Sequence, residues 1–195
     1  MPDRRFVLAT LAALALAAPT LESAVIPRTP DDLAITLPSG KQVTLSQYQG
    51  KVVAVLFILT DCPHCEAAVQ CLVQDQNEFG PRGFQAIASA VEEQAQTSVP
   101  DFIRRFNPPF PVGYSGLKPS MDFMQHPPKL TPHMPLIAFI DRNGILQAQY
   151  EGMEPFFASD RMAHNIHDKI AELMSRGAPA PKGKGVPKSA VQPKK

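Results

Sequence analysis

The chain has 195 residues, 44% of them hydrophobic, and a formal net charge of +1. That length suits one ordinary domain with appendages, and so small a net charge carries no electrostatic footprint for nucleic acid, so no nucleic-acid partner is expected. The charge is uneven: residues 1–18 carry +1, residues 176–195 carry +6, and the body between them is left at −6.

The first element, "MPDRRFVLATLAALALAAPT", has a basic start and a 13-residue mostly apolar run from Phe6 to Ala18, closed by Pro19. A run of that length is the core of a signal peptide and is too short to span a bilayer as a helix. Ala15-Leu16-Ala17 supplies the small-x-small pattern for cleavage just before Pro19 or one residue earlier. A buried N-terminal helix is the plainer alternative, disfavoured by the absence of any polar face. The expected division is a signal peptide at 1–18, a leader at 19–28, one domain at 29–175 and a basic tail at 176–195. The tail holds four prolines, three glycines and six basic residues without an acidic or aromatic one, and is expected to be disordered. Export makes the product periplasmic or otherwise extracytoplasmic, soluble after cleavage or N-terminally anchored without it, in a compartment where disulfides form.

Within the body, "DLAITLPSGKQVTL" reads as a hairpin around Pro38-Ser39-Gly40. "VVAVLFIL", residues 52–59, is a continuous aliphatic and β-branched run suited to a strand buried on both faces. "PHCEAAVQCLVQDQNEF" follows as a helix, with Pro63 in its first turn and Gly80-Pro81 as its stop. "FQAIASAVE" is the next strand, and "SVPDFIRRF" a short helix with Ser98 and Asp101 spaced as a capping box. This alternation argues for a parallel pair in an α/β layer. Met121, Phe123 and Met124 read as core contacts of a short helix, and His126 as a loop residue. "PLIAFIDRNGILQAQY" is an antiparallel hairpin turning at Asn143-Gly144. Phe156 to Ser175 is an amphipathic helix with Met162, Ile166, Ile170 and Leu173 on one stripe, leaving His164 and His167 exposed.

The chemistry concentrates in "TDCPHCEAAVQC", residues 60–71, at the strand-to-helix junction. Unpaired N–H groups and the helix dipole favour an anion in a first helical turn, so Cys62 is the expected thiolate. Cys65, one turn later, can close back on it, which is the minimum for thiol-disulfide exchange through a mixed disulfide. His64 would favour the Cys62 thiolate further if its ring lay nearby and carried charge, and Asp61 pushes the other way. Cys71 is rotated by about 240° from Cys65 and displaced by about 9 Å along the axis, so it cannot bridge and is expected to pack as a structural side chain.

"LSQYQGKVVAVLFILTDCPHC", "TPHMPLIAFIDRNGILQAQYEG" and the order of elements resemble the TlpA/ResA-like (redoxin) branch of exported thiol-disulfide oxidoreductases. The resemblance implies an α/β, thioredoxin-like three-layer fold: a mixed central sheet flanked by helices, here with an N-terminal β-hairpin extension. It makes Pro135 the family's cis-proline beside the cysteine pair, and Met134 the residue that offers its backbone to a substrate peptide. Partners would be protein disulfides or dithiols and a membrane or periplasmic electron donor or acceptor. The protein would work as a monomer with no cofactor beyond the redox-active Cys62–Cys65 pair and no metal. Three positions depart from the family. Asp61 replaces a common aromatic residue, Leu56 occupies the site of the buried acid of thioredoxins, and Ala68 that of the glutamate of ResA-like reductases. Glu66 and Asp61 are then the nearby candidates for proton transfer, against a plainer role as solvated acids of the helix start.

The direction of electron flow is open, because a Pro63-His64 pair is what DsbA-like oxidants carry whereas the TlpA-like scaffold is mostly associated with reduction. A copper(I) metallochaperone is one alternative, with Cys62, Cys65, His64, His133 and Met134 as soft ligands and His133 required beside Cys62. A peroxiredoxin-like peroxidase is another. It is weakened by Val55 and Leu59 at the positions where that family carries proline and threonine.

Overall fold

The computed structural model describes residues 24–176, so the expected signal peptide at 1–18, the first part of the leader at 19–28 and nearly all of the basic tail lie outside the described residues. The strands are β1 (Ala34–Thr36), β2 (Gln42–Thr44), β3 (Val52–Ile58), β4 (Phe84–Ala90), β5 (Val112–Tyr114), β6 (Leu136–Ile140) and β7 (Leu146–Glu151). The helices are α1 (Pro63–Phe79), α2 (Ala95–Phe106), α3 (Leu117–Met124) and α4 (Met162–Ser175). The seven strands form one sheet in the order β2-β1-β5-β4-β3-β6-β7.

β3 lies inside this sheet, parallel to β4 and antiparallel to β6, and all seven of its residues are buried. Side chains alternate across a strand. Val52, Ala54, Leu56 and Ile58 therefore join the core built with α1, α2 and α4, while Val53, Val55 and Phe57 join the one that contains Ile87, Phe123 and Met124. Burying each aliphatic side chain stabilises the fold by roughly 1.5–3 kcal/mol. The unbroken apolar run is thus the signature of a strand covered twice, in a mixed sheet flanked by helices on both faces.

The N-terminal hairpin forms as expected, with Ile35 opposite Val43, and continues the same sheet through the pairing of Thr36 with Tyr114. α1 starts at Pro63, whose missing N–H costs nothing there, and ends at Gly80-Pro81. Its buried stripe is Cys65, Ala68, Val69, Leu72, Asp75 and Phe79. α2 departs from expectation: it begins at Ala95, and the Ser98 hydroxyl donates to Glu92 Oε1 at 2.8 Å instead of capping the helix. A tertiary acceptor outcompetes the local cap, and Pro100 is carried inside the helix. The last helix starts at Met162 because Pro155–Phe157 forms a separate 3-10 turn. Its four predicted stripe residues, Met162, Ile166, Ile170 and Leu173, are buried. No helix among the described residues is long and apolar enough to cross a membrane.

The hairpin's attachment depends on Gly113, where a Cβ would strike the Thr36 carbonyl oxygen and come within 2.8 Å of Ile35 Cγ2. Gly113→Ala is expected to cost about 1–3 kcal/mol, as overpacking does. It should be read as a lower urea midpoint with an unchanged slope.

Candidate active site

β3 runs out at Ile58, and Leu59, Thr60 and Asp61 carry the chain to Cys62 at the N-cap of α1. Cys62 has extended backbone angles, φ −94° and ψ 113°, and its Sγ accepts the Cys65 N–H at 3.3 Å. Both cysteines are free thiols. They differ in exposure: Cys62 is partly exposed, whereas Cys65 is fully buried at 0%. Burial raises the Cys65 pKa, the contact with the Cys62 side chain adds to the rise, a backbone hydrogen bond at Leu59 opposes it, and the negative charge of Glu92 adds a smaller push upward. One sulfur can therefore be reached by another protein, and the other is kept as a thiol beneath it.

Of the residues between the cysteines, Pro63 is exposed and sets the helix start. The His64 ring is fixed by Nε2, which lies 2.8 Å from the Phe157 carbonyl oxygen. Because a carbonyl only accepts, Nε2 carries a proton and donates it. The ring also meets Phe157 edge-on, with centroids 5.9 Å apart, so His64 pins the head of α1 to the turn before α4.

The Met134–Pro135 peptide bond is cis. Met134 is partly buried against both cores and lines a groove of about 560 Å³ with Leu59, Val91, Glu92, Tyr114 and Leu117. Gly152, which the sequence reading did not single out, holds the backbone of this loop. Its N–H donates to the His133 carbonyl oxygen at 2.9 Å. A Cβ there would lie 2.5 Å from the Met134 carbonyl oxygen and 2.8 Å from that of His133.

The acids named from sequence do not turn toward the sulfurs in the same way. Asp61 is exposed, and Glu66 is paired with Arg105 of α2. The carboxylate placed against the loop that precedes Cys62 belongs to Glu92, just after β4. Its Oε1 accepts from Thr60 Oγ1 at 2.6 Å, Thr60 N at 3.3 Å and Ser98 Oγ at 2.8 Å. Its Oε2 is buried and has no hydrogen-bond partner among the described residues. No spacing rule links Glu92 to Cys62; only the pairing of β3 with β4 does.

The metallochaperone ligand set is not gathered. His64 is held by Phe157, and both the backbone N–H and Nδ1 of His133 lie 2.8 Å from Glu151 Oε1. Among the described residues no three His, Cys, Asp or Glu side chains lie close enough to share a metal. His126, in a loop as expected, is nevertheless buried, its side chain 8% exposed and 3.7 Å from Glu151. His164 is exposed and pairs with Asp168. His167 instead reaches the buried Asp75 with Nδ1 at 2.8 Å, a correction with a simple cause: a carboxylate on the buried stripe of α1 needs a donor. Cys71 is half-buried against the core, its thiol pushed up by burial and by Asp75.

A dithiol at the head of α1, a cis-proline loop and a mixed sheet flanked by helices together define a thioredoxin-like protein. Its sequence matches the family described as Redoxin over residues 18–161, and the chain belongs to that family. Its fold is similar to that of a thiol:disulfide interchange protein of Chlorobium tepidum, with a TM-score of 0.63 and 20% identity over 78% of this chain and 99% of the other. It is also similar to the thioredoxin domain of a thiol-disulfide oxidoreductase of Bacteroides vulgatus, with a TM-score of 0.61 and 16% identity over 78% and 99% of the two chains. A secreted disulfide oxidoreductase of Mycobacterium tuberculosis gives a TM-score of 0.57 and 18% identity over 72% and 96%. At these identities the likeness is one of fold. Among curated proteins, the Xenopus laevis protein called Probable glutathione peroxidase 8-A is 39% identical over 54 residues, 28% of this chain. The chain spans about a quarter of the length of the curated relatives it matches, 26% in each case.

Two outcomes follow from this geometry. Gly152→Ala is expected to displace the Met134 carbonyl and slow thiol-disulfide exchange about 100-fold. The check is the exchange rate per folded molecule, and a loss of stability at an unchanged rate would contradict it. Cys65 also makes stability depend on pH. The unfolded thiol ionises from an ordinary value of 9.0, whereas the buried thiol keeps its proton to higher pH, so above pH 9 unfolding releases a proton. Cys65 should therefore contribute a loss of up to ~1.4 kcal/mol of stability per pH unit in that range, and reduced Cys65→Ser should show a shallower slope in urea unfolding, the raised Cys71 thiol keeping its own share.

Proposed function

We propose that this chain is an exported thiol-disulfide oxidoreductase that exchanges disulfides with protein substrates through Cys62 and Cys65. The observation that carries the reading is the unequal placement of the two sulfurs: Cys62 accessible at the N-cap of α1, Cys65 buried and giving its N–H to Cys62 Sγ at 3.3 Å. In the reductive direction Cys62, as thiolate, attacks one sulfur of a substrate disulfide, and the other substrate sulfur leaves. Cys65 then attacks Cys62 Sγ, the mixed disulfide breaks, and the enzyme holds a Cys62–Cys65 disulfide while the substrate has gained two electrons. Run backwards, the same steps oxidise a substrate dithiol.

The groove beside Met134 supports a protein substrate, since a chain laid along it would meet backbone at Met134 and apolar surface at Leu59, Tyr114 and Leu117. The chemistry needs no cofactor beyond the redox pair. A membrane-bound or periplasmic thiol or disulfide partner resets it, and the apolar run at Phe6–Ala18 supports export. The structural relatives named as interchange proteins and oxidoreductases support the same reading.

A peroxidase reading rests on the Xenopus match and competes for the same Cys62. Val55 and Leu59 stand where peroxiredoxins carry the proline and threonine that activate peroxide, which favours protein disulfides over peroxide.

Cys65→Ser, mixed with a protein disulfide substrate, is expected to accumulate a mixed disulfide through Cys62, and Cys62→Ser to accumulate none, read by mass spectrometry. Trapping through Cys65 would reverse the roles. Equilibration in defined glutathione buffers sets the direction, and a pair inert in every buffer but fast with hydrogen peroxide would replace this function by the peroxidase.

A further inference from the structure

Resolution of the mixed disulfide requires Cys65 to lose a proton in a place where water is scarce, and the residues of β3 and of the first turns of α1 buried in the same core, Leu56 and Ala68 among them, offer no base. The strand register shows what stands there instead. β3 and β4 run parallel with Ile58 beside Ala90, and Val91 N–H donates to the Ile58 carbonyl oxygen at 3.1 Å. Two residues beyond each partner the chains still travel side by side, so Glu92 meets Thr60, two residues before Cys62. Three donors fix its Oε1, from Thr60 N, Thr60 Oγ1 and Ser98 Oγ. Oε2 is left buried with no partner among the described residues. A buried carboxylate oxygen costs stability unless something bonds to it, and such groups gather where protons move.

We infer that Glu92 is the proton acceptor for Cys65 in the resolving step, with Oε2 taking the proton, directly or through one intervening water, as Cys65 attacks Cys62 Sγ. This rests on the thiol-disulfide reading above. The step balances: Cys65 thiol and Glu92 carboxylate become Cys65 thiolate and Glu92 carboxylic acid. The thiolate bonds to Cys62 Sγ, the bond from Cys62 to the substrate sulfur breaks, and the departing substrate thiolate receives the proton that Glu92 holds. Electrostatics favours this order. While ionised, Glu92 disfavours a second negative charge at Cys65, and on taking the proton it ceases to do so. The ionisable groups around the transfer are Cys62 and Cys65 at the head of α1, Glu93 beside Glu92, and Tyr114 across the groove. Asp61 is exposed, and Glu66 is occupied by Arg105.

The test separates the two chemical steps by rapid mixing with a disulfide-containing protein substrate. Glu92→Gln keeps an oxygen for Thr60 and Ser98 but no base. It is expected to slow resolution about 100-fold near neutral pH, the scale of a lost general base. In a Cys65→Ser background the same substitution should slow Cys62 attack far less than it slows resolution when Cys65 is present. Glu92→Asp should recover part of the resolving rate. In the wild type, resolution should level off once the carboxylate is ionised, whereas without it the rate should climb about tenfold per pH unit with the thiolate fraction. Resolution by Glu92→Gln at the wild-type rate overturns the assignment, as does equal slowing of both steps. If Glu92→Gln does not fold, the wild-type profile decides alone, and a climb without a plateau overturns the assignment. A wild-type protein that forms no mixed disulfide overturns both this assignment and the function on which it rests.

Discussion

The site is held by a strand that cannot move. With all seven residues of β3 buried, four side chains packed toward one face and three toward the other, any shift or tilt would open cavities in two cores at once. The loop from Leu59 to Cys62 inherits that rigidity. So does the hydrogen bond from Cys65 N–H to Cys62 Sγ, because α1 is fixed in turn by its buried stripe and by the His64 contact with Phe157. A reactive sulfur that must present itself to another protein in one orientation benefits from such a mount, since the ordering has already been done in folding.

From that mount comes an unequal pair. The two cysteines are three residues apart, yet the first is partly exposed and the second is buried in the core shared by α1 and β3. A buried thiol resists ionisation. In the function proposed above, that burial would set the order of events, with attack at Cys62 first and closure by Cys65 second. The placement of the cis-proline loop depends on a residue without a side chain. Gly152, at the end of β7, allows the Met134 carbonyl to pass at a distance that any Cβ would forbid.

What the sequence made legible was mostly local or periodic. The apolar run of β3, proline at the first turn of α1, the Asn143-Gly144 turn and the stripe of α4 each have a short-range physical cause, and each is where it was expected. The cis state of Pro135 was accessible only through family resemblance, because no local rule selects it. The contacts that were not legible follow no helix or strand spacing: His167 with Asp75, Ser98 with Glu92, Gly152 with Met134. Ser98 is the instructive case. Its capping-box spacing was real, but Glu92, on the loop before the helix, offered its hydroxyl a better-placed acceptor than the backbone did, and the helix began one turn early.

The same distinction explains why Glu92 has no signal in the sequence near the cysteines. Reading outward from Cys62, helix spacing points to Glu66 and the adjoining loop to Asp61, and these lie beside Arg105 and in solvent. A parallel pair of strands offers a different route. Residues leaving neighbouring strands at the same level emerge together at the carboxyl end of the sheet, where an α/β fold gathers its functional loops. Ile58 and Ala90 share that level, so a carboxylate two residues past β4 reaches the approach to Cys62 whatever its separation in sequence. The β4–α2 loop can bring a carboxylate to the approach to Cys62 without disturbing β3 or α1, because the register of the two strands keeps that loop beside Thr60.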